Sequence, residues 1–425
     1  MRYSFEKCAR RVCTAAVLAA LAWAPALVAQ KTALVPTRPK LEAGADTNDA
    51  RSYYAYAMRT VYDKPTEAVR GFYWASQIDP TSGESLYGLH AASLLAMTPT
   101  EMAWYYDYFT KTRSPTFLAL DTLLFRVYTI NPFLHPSFEH ALLQRKIEAQ
   151  TMVRYSHVNQ VTLNVAILET MGDAINSPDV AFADGRLSDA LRLYAKELEY
   201  RGWSKREHAY MSGEIHATRA RIFYVLGNLD SARTEMVAAL SSMREWEANK
   251  KEIVILYRSK ALYEETLGMI DEKQNRPDSA REAYGHALEE DLAYYPAHTR
   301  MAQLQIAMGD TAGALTELDL AAQLQPNNVV CHYTYAVTLA KMGKAAEAVA
   351  QLKRAIAIDP YYAAPHLLLA RIADLEEYTD DAVGEYQQYS ILAARADPEL
   401  TFAKDRIAKL SATVASTTTP APAKP

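Results

Sequence analysis

The chain has 425 residues, a formal net charge of −5, hydrophobic residues at half its positions and only 15 glycines. A mildly acidic chain is a poor polyanion binder, which argues against nucleic acid as a partner. Scarce glycine beside abundant Ala, Leu, Glu, Lys, Arg and Gln, the residues that lose least on entering a helix, points to an all-α protein.

Residues 1–29 read as a secretory signal: basic Arg2, Lys7, Arg10 and Arg11, an apolar run over 12–28, and small residues at Ala26 and Ala29. Pro25 interrupts the run too early for a comfortable membrane span, so a mature chain starting near Gln30 without a span is expected, and with it a periplasmic location. Losing those four bases and Glu6 takes the charge from −5 to −8. Cys8 and Cys13 would leave with the signal. Cys331 alone then remains, so no disulfide, thiolate metal site or cofactor is expected.

Residues 30–48 read as a linker. From 49 to 206 the patterning is helical but has no fixed period. Ala75 to Pro80 (ASQIDP) parallels Ala355 to Pro360 (AIAIDP), and Thr98-Pro99-Thr100-Glu101 and Ser114-Pro115 look like helix starts. Gly185, Ala190 and Tyr194 suggest half a repeat whose first helix lies at about 158–171, with a loop inserted at 172–184. This region is read as degenerate repeats.

Over 207–396 a period appears. Gly268, Ala302, Ala336 and Ala370 stand 34 apart, and Ala280, Ala314, Ala348 and Ala382 follow twelve residues behind. Small residues at such a period mark points where one helix must come close to the next, the signature of stacked helix-turn-helix units. Gly309 and Gly343 suit the left-handed residue that ends a first helix, and Asn275 can replace them. Leu318 and Leu352 fill the next turn, and Pro326 and Pro360 stop the second helix. An upstream unit near 213 carries Ala220, Gly227, Ala232 and Ala239, with a long second helix through Trp246. The unit from 363 has Glu377 in place of the turn Gly; a capping helix at 397–411 and a disordered Thr/Ala/Pro tail at 412–425 are expected after it.

These residues resemble the tetratricopeptide repeat family. The resemblance implies a right-handed helical-hairpin solenoid, degenerate in its N-terminal half, that binds a protein or peptide without catalysis. It also implies a groove lined by first-helix residues: Thr299, Gln303 and Ile306; Tyr333, Val337 and Lys341; Leu367, Arg371 and Asp374.

Three constellations compete with that reading. His298, His332 and His366 recur at one place in successive units and His216 occupies it upstream. Neighbouring helices stand about 8–10 Å apart, too far for equivalent residues to share one ion, so a packing role is expected, with a pH-sensitive row as the alternative. Residues 53–108 hold nine tyrosines with Trp74 and Trp104. They either fill irregular helix contacts or form a glycan or small-molecule site, with Trp104, Tyr105 and Tyr108 foremost. Glu376, Glu377, Asp380 and Asp381 lack the spacing of a calcium loop and read as a solvated turn. The expected activity is a scaffold in the cell envelope; the alternative is a periplasmic small-molecule or glycan-binding protein.

Overall fold

The computed structural model describes residues 35–106, 115–134, 136–154, 167, 170, 177–248 and 259–418; the signal segment lies outside them. Helices α1 (Ala50–Thr60), α2 (Pro65–Ile78), α3 (Gly83–Leu95), α4 (Pro99–Tyr106), α5 (Pro115–Ile130) and α6 (Glu139–Arg154) form the N-terminal region. A short pair follows, α7 (Pro178–Ala183) and α8 (Leu187–Leu198). Five hairpins come next: α9 and α10 (Lys205–Val225, Leu229–Ala248), α11 and α12 (Lys260–Lys273, Pro277–Glu290), α13 and α14 (Tyr295–Met308, Thr311–Leu324), α15 and α16 (Val329–Lys341, Ala345–Ile358), and α17 and α18 (Ala363–Leu375, Thr379–Leu392). Helix α19 (Glu399–Thr418) ends the array. The protein is an all-α helical repeat, with no strand among the described residues.

One turn chemistry recurs six times. Gly185, Gly227, Gly309 and Gly343 have φ of 74°, 76°, 84° and 73°, and Asn275 and Glu377 take the same left-handed conformation at 59° and 64°. After each, the next amide reaches back five residues: Asp310 to the Gln305 carbonyl at 2.8 Å, Lys344 to Leu339 at 3.0 Å, Tyr378 to Ala373 at 2.8 Å. This is the bond that satisfies an orphan carbonyl at a helix end. Glu377 makes it despite a steric cost of roughly 1–2 kcal/mol, which Gly would avoid.

Both ladders of small residues are interior. Their seven alanines are fully buried, and a Cβ on Gly268 would collide with the ring of Tyr284. Leu318 and Leu352, buried beside the second ladder, close the gap. Buried carboxylates on α11 tie adjacent units together: Arg233 to Asp271 at 2.7 Å, Arg244 to Glu264 at 2.7 Å, and Arg300 to Glu265 at 3.2 Å. Pairing is what makes buried charge tolerable.

Three segments depart from expectation. Part of the loop expected at 172–184 is helix α7, capped by the Ser177 hydroxyl on the Val180 amide; six residues are too few for helical periodicity to register. The expected linker at 30–48 is anchored from Pro36 onward. The Trp74 indole donates to the Pro36 carbonyl at 2.8 Å, and Arg38 lies over Trp74 and Tyr361 at 4.3 and 5.2 Å. Asn48 donates to the Ile391 carbonyl at 2.6 Å, while Arg395 donates to the Gly44 carbonyl at 2.9 Å. The first hairpin therefore meets the last two, and the chain closes on itself. Finally, α19 runs to Thr418, where a tail without structure was expected from 412. Once Ala403, Ile407 and Leu410 dock, each further residue adds one bond without a new nucleus.

Ala336→Leu should destabilise the array by about 1–3 kcal/mol, because extra methylenes have no room at a helix contact. Urea denaturation checks this, and an unchanged midpoint would refute the contact.

Candidate binding groove

Successive first helices turn one face toward a common interior, and the upstream part of that face is already filled by the chain itself. Phe133, just beyond α5, stacks on Tyr224 of α9 with ring centres 3.5 Å apart and 7° between planes. Arg221 of α9 covers Tyr128 at 4.5 Å, Phe125 meets the Tyr294 ring at 6.0 Å, and the Thr129 and Tyr295 hydroxyls lie 3.5 Å apart. On its other side α5 buries Leu120, Leu124 and Val127 in the N-terminal core. Phe125 and Tyr128 also pack on the cluster that holds Ala261 and Leu262 of α11, so α5 lies between the N-terminal core and residues of α9, α11 and the start of α13.

Beyond α5 the face opens. Gln303, Ile306, Tyr333, Thr334, Val337, Thr338 and Lys341 line a shallow cavity of about 330 Å³ between α13 and α15. Five of the nine residues expected in the groove are here. Thr334 and Thr338, which sequence reasoning missed, follow Tyr333 and Val337 by one position each and line the same cavity from the adjoining side of the helix. The Tyr333 ring is held edge-on by Tyr362 at 5.3 Å, leaving it partly exposed to the cavity. Thr299 lies outside it, its hydroxyl donated to the Tyr295 carbonyl at 3.1 Å.

The remaining three expected residues face α19 instead. Leu367 packs on the cluster that includes Leu400 and Ala403. Arg371 pairs with Glu399 at 2.6 Å and covers Phe402 at 5.2 Å, and Asp374 accepts from Arg406 at 2.8 Å and from the Tyr386 hydroxyl at 3.1 Å. The Arg406 guanidinium holds the Asp374 carboxyl below the usual aspartate range. A smaller cavity of about 180 Å³, beside Phe125 and Tyr294, contains Lys260 clamped by Glu247 at 2.8 Å and Glu290 at 2.5 Å.

The histidine row forms one repeated tie. In the four units that carry it, Nδ1 meets a second-helix side chain nineteen residues later: His216 with Glu235 at 2.6 Å, His298 with Glu317 at 2.6 Å, His332 with Gln351 at 2.7 Å and His366 with Glu385 at 2.7 Å. Nε2 of His298 and His332 faces a carbonyl six residues back, Leu292 at 3.2 Å and Pro326 at 3.1 Å. Burial works against a charge on His298. The Glu317 hydrogen bond, the Leu292 carbonyl and the charges of Glu317 and Asp291 outweigh it and raise the pKa.

Among the described residues, no group of three or more His, Cys, Asp or Glu is placed to hold a metal ion, and no helix is long and apolar enough to cross a membrane. Glu376, Glu377, Asp380 and Asp381 are exposed, the aspartates in the first turn of α18, where the helix dipole favours negative charge. Of the aromatic patch, Tyr105 meets Phe117 at 5.3 Å and packs on the N-terminal core; the Trp104 side chain and Tyr108 lie outside the described residues. Tyr53, Phe72, Trp74 and Tyr87 are buried, so much of this aromatic density goes into packing.

A family model described as tetratricopeptide repeat matches residues 330–362. Among solved structures, the C-terminal part of a TPR repeat-containing protein from Cytophaga hutchinsonii is 16% identical, covering 56% of this chain and 85% of that one with a TM-score of 0.43. MamA is 15% identical over 45% of this chain and 96% of its own, with a TM-score of 0.34. YrrB, described as a TPR protein with an unusual peptide-binding site, is 16% identical over 50% and 97%, with a TM-score of 0.37. No curated protein matches this chain.

The raised pKa of His298 fixes a sign for stability. Its contribution is complete below the unfolded value near 6.5 and fades as pH rises through the folded value. Urea titrations at about pH 6 and pH 8 should show the wild type losing stability between them and His298→Gln losing less. Equal losses would refute the tie.

Proposed function

We propose that this chain, an all-α helical repeat whose residues 330–362 match the tetratricopeptide repeat, is a non-enzymatic scaffold that binds a protein or peptide segment between α13 and α15. The observation that carries the reading is the cavity at Tyr333. It lies on the first-helix face, where that face is free of both α5 and α19, and its lining alternates apolar side chains with amide and hydroxyl groups. Ile306, Tyr333 and Val337 offer a floor for apolar side chains, while Gln303 and Thr334 offer hydrogen bonds to a peptide backbone. The four histidines of the row are committed to ties between helices and take no part in lining the cavity.

We also propose export to the cell envelope. Support comes from the basic start, apolar run and small residues of the first 29 positions. N-terminal sequencing of the exported protein should begin at or near Gln30, and retention of Met1 would mark an anchor instead.

Affinity capture from native envelopes should recover a stoichiometric protein. Tyr333→Ala should weaken that capture by on the order of 1–2 kcal/mol with helix content unchanged, since interface energy concentrates in a few central, often tyrosine, side chains. Undiminished capture would move the binding surface elsewhere.

A further inference from the structure

Along the groove one formal charge, that of Lys341, has no counter-ion among the described residues. Arg371 is neutralised by Glu399 and Asp374 by Arg406, both partners supplied by α19. The acids nearest to the cavity in sequence are committed as well: Asp310 caps α14 through the Gly313 amide at 2.9 Å, and Glu347 pairs with Lys344 at 3.1 Å. Lys341 lines the cavity, is exposed, and forms no ion pair among the described residues. Its place in the last turn of α15 suits the helix dipole. That dipole is a partial charge at the helix end and leaves the ammonium to attract a carboxylate from outside.

We propose that this groove selects a partner segment bearing an aliphatic or aromatic side chain and, within a few residues of it, a carboxylate. The proposal rests on the groove assignment made above and adds its specificity. The apolar side chain would sit on Ile306, Tyr333 and Val337, and the carboxylate would meet the Lys341 ammonium at the end of the cavity. Discrimination has a repulsive half too. A basic segment would bring its charge against Lys341 with no acid in the lining to compensate, and like-charge contact counts against wrong partners just as the carboxylate contact counts for right ones. The chain as a whole is acidic, so long-range attraction alone would favour cationic partners. Local complementarity at Lys341 runs against that background.

The test is selection from a displayed library of short random peptides on the full chain, in parallel on Lys341→Glu and Tyr333→Ala. Lys341 is exposed, and circular dichroism verifies that its variant folds. Wild-type binders should be enriched in Asp or Glu beside Leu, Ile or Phe and should bind the Lys341→Glu protein about tenfold more weakly. The Lys341→Glu selection should turn to Lys and Arg. Charge-neutral enrichment, or the same preference from both proteins, with affinity still lost in Tyr333→Ala, would overturn the acidic selectivity while leaving the groove assignment standing. Binders indifferent to Tyr333→Ala would overturn the groove assignment itself. A groove filled by a second copy of this chain would appear as concentration-dependent dimerisation lost in Tyr333→Ala, and would overturn the proposal.

Discussion

Paired helices in this protein approach so closely that only Gly or Ala fits at the crossing, and the other regularities follow from that approach. Fully buried Ala302 and Ala314, or Ala336 and Ala348, hold the two helices of a hairpin at a fixed distance and rotation. With the turn closed each time by the same back-reaching amide, position and register are locked together. The histidine ties are the visible result: a spacing of nineteen residues recurs in four units even where Gln351 replaces the usual Glu. A loosely packed hairpin could not repeat a 2.6–2.7 Å bond four times.

What is unusual is how the solenoid treats its own interior. Helix α5 and Phe133 after it touch residues of α9, α11 and the start of α13 and join them to the N-terminal core, so the inner face that a repeat array normally offers outward is partly an intramolecular interface. At the other end α19 covers Leu367 and neutralises Arg371 and Asp374. The open stretch between α13 and α15 is therefore defined by two coverings as much as by its own residues.

The array was legible because its information is local and repeated: a 34-residue period writes each contact several times, and a turn residue such as Asn275 gains credence from the glycines in register with it. The first-helix face was legible for the same reason in its central part, where Gln303, Ile306, Tyr333, Val337 and Lys341 line one cavity. Its ends were not. That Arg371 meets Glu399 depends on a helix outside the repeat, and that Phe133 stacks on Tyr224 joins residues 91 positions apart with no periodic signal between them. A usable hint existed in α5 itself, which carries Leu120, Leu124 and Val127 on one side and Phe125 on another, with Tyr128 between them touching both clusters. A helix apolar on both sides is one buried on both sides.

Closure of the chain bears on how such a groove binds. Arg38 over the touching rings of Trp74 and Tyr361, Asn48 on the end of α18 and Gly44 on Arg395 fasten residues 38–48 to the last two hairpins. Tyr361 adjoins Tyr362, which supports the Tyr333 ring, so the fastening reaches the wall of the cavity through two aromatic contacts. An open superhelix can flex along its length to grip a bulky partner and must lose that freedom on binding. A closed one has already lost it in folding, which lowers the cost of association. The same rigidity restricts what enters. With α5 on one side and α19 on the other, a single extended segment or one helix face fits the open stretch better than a folded domain.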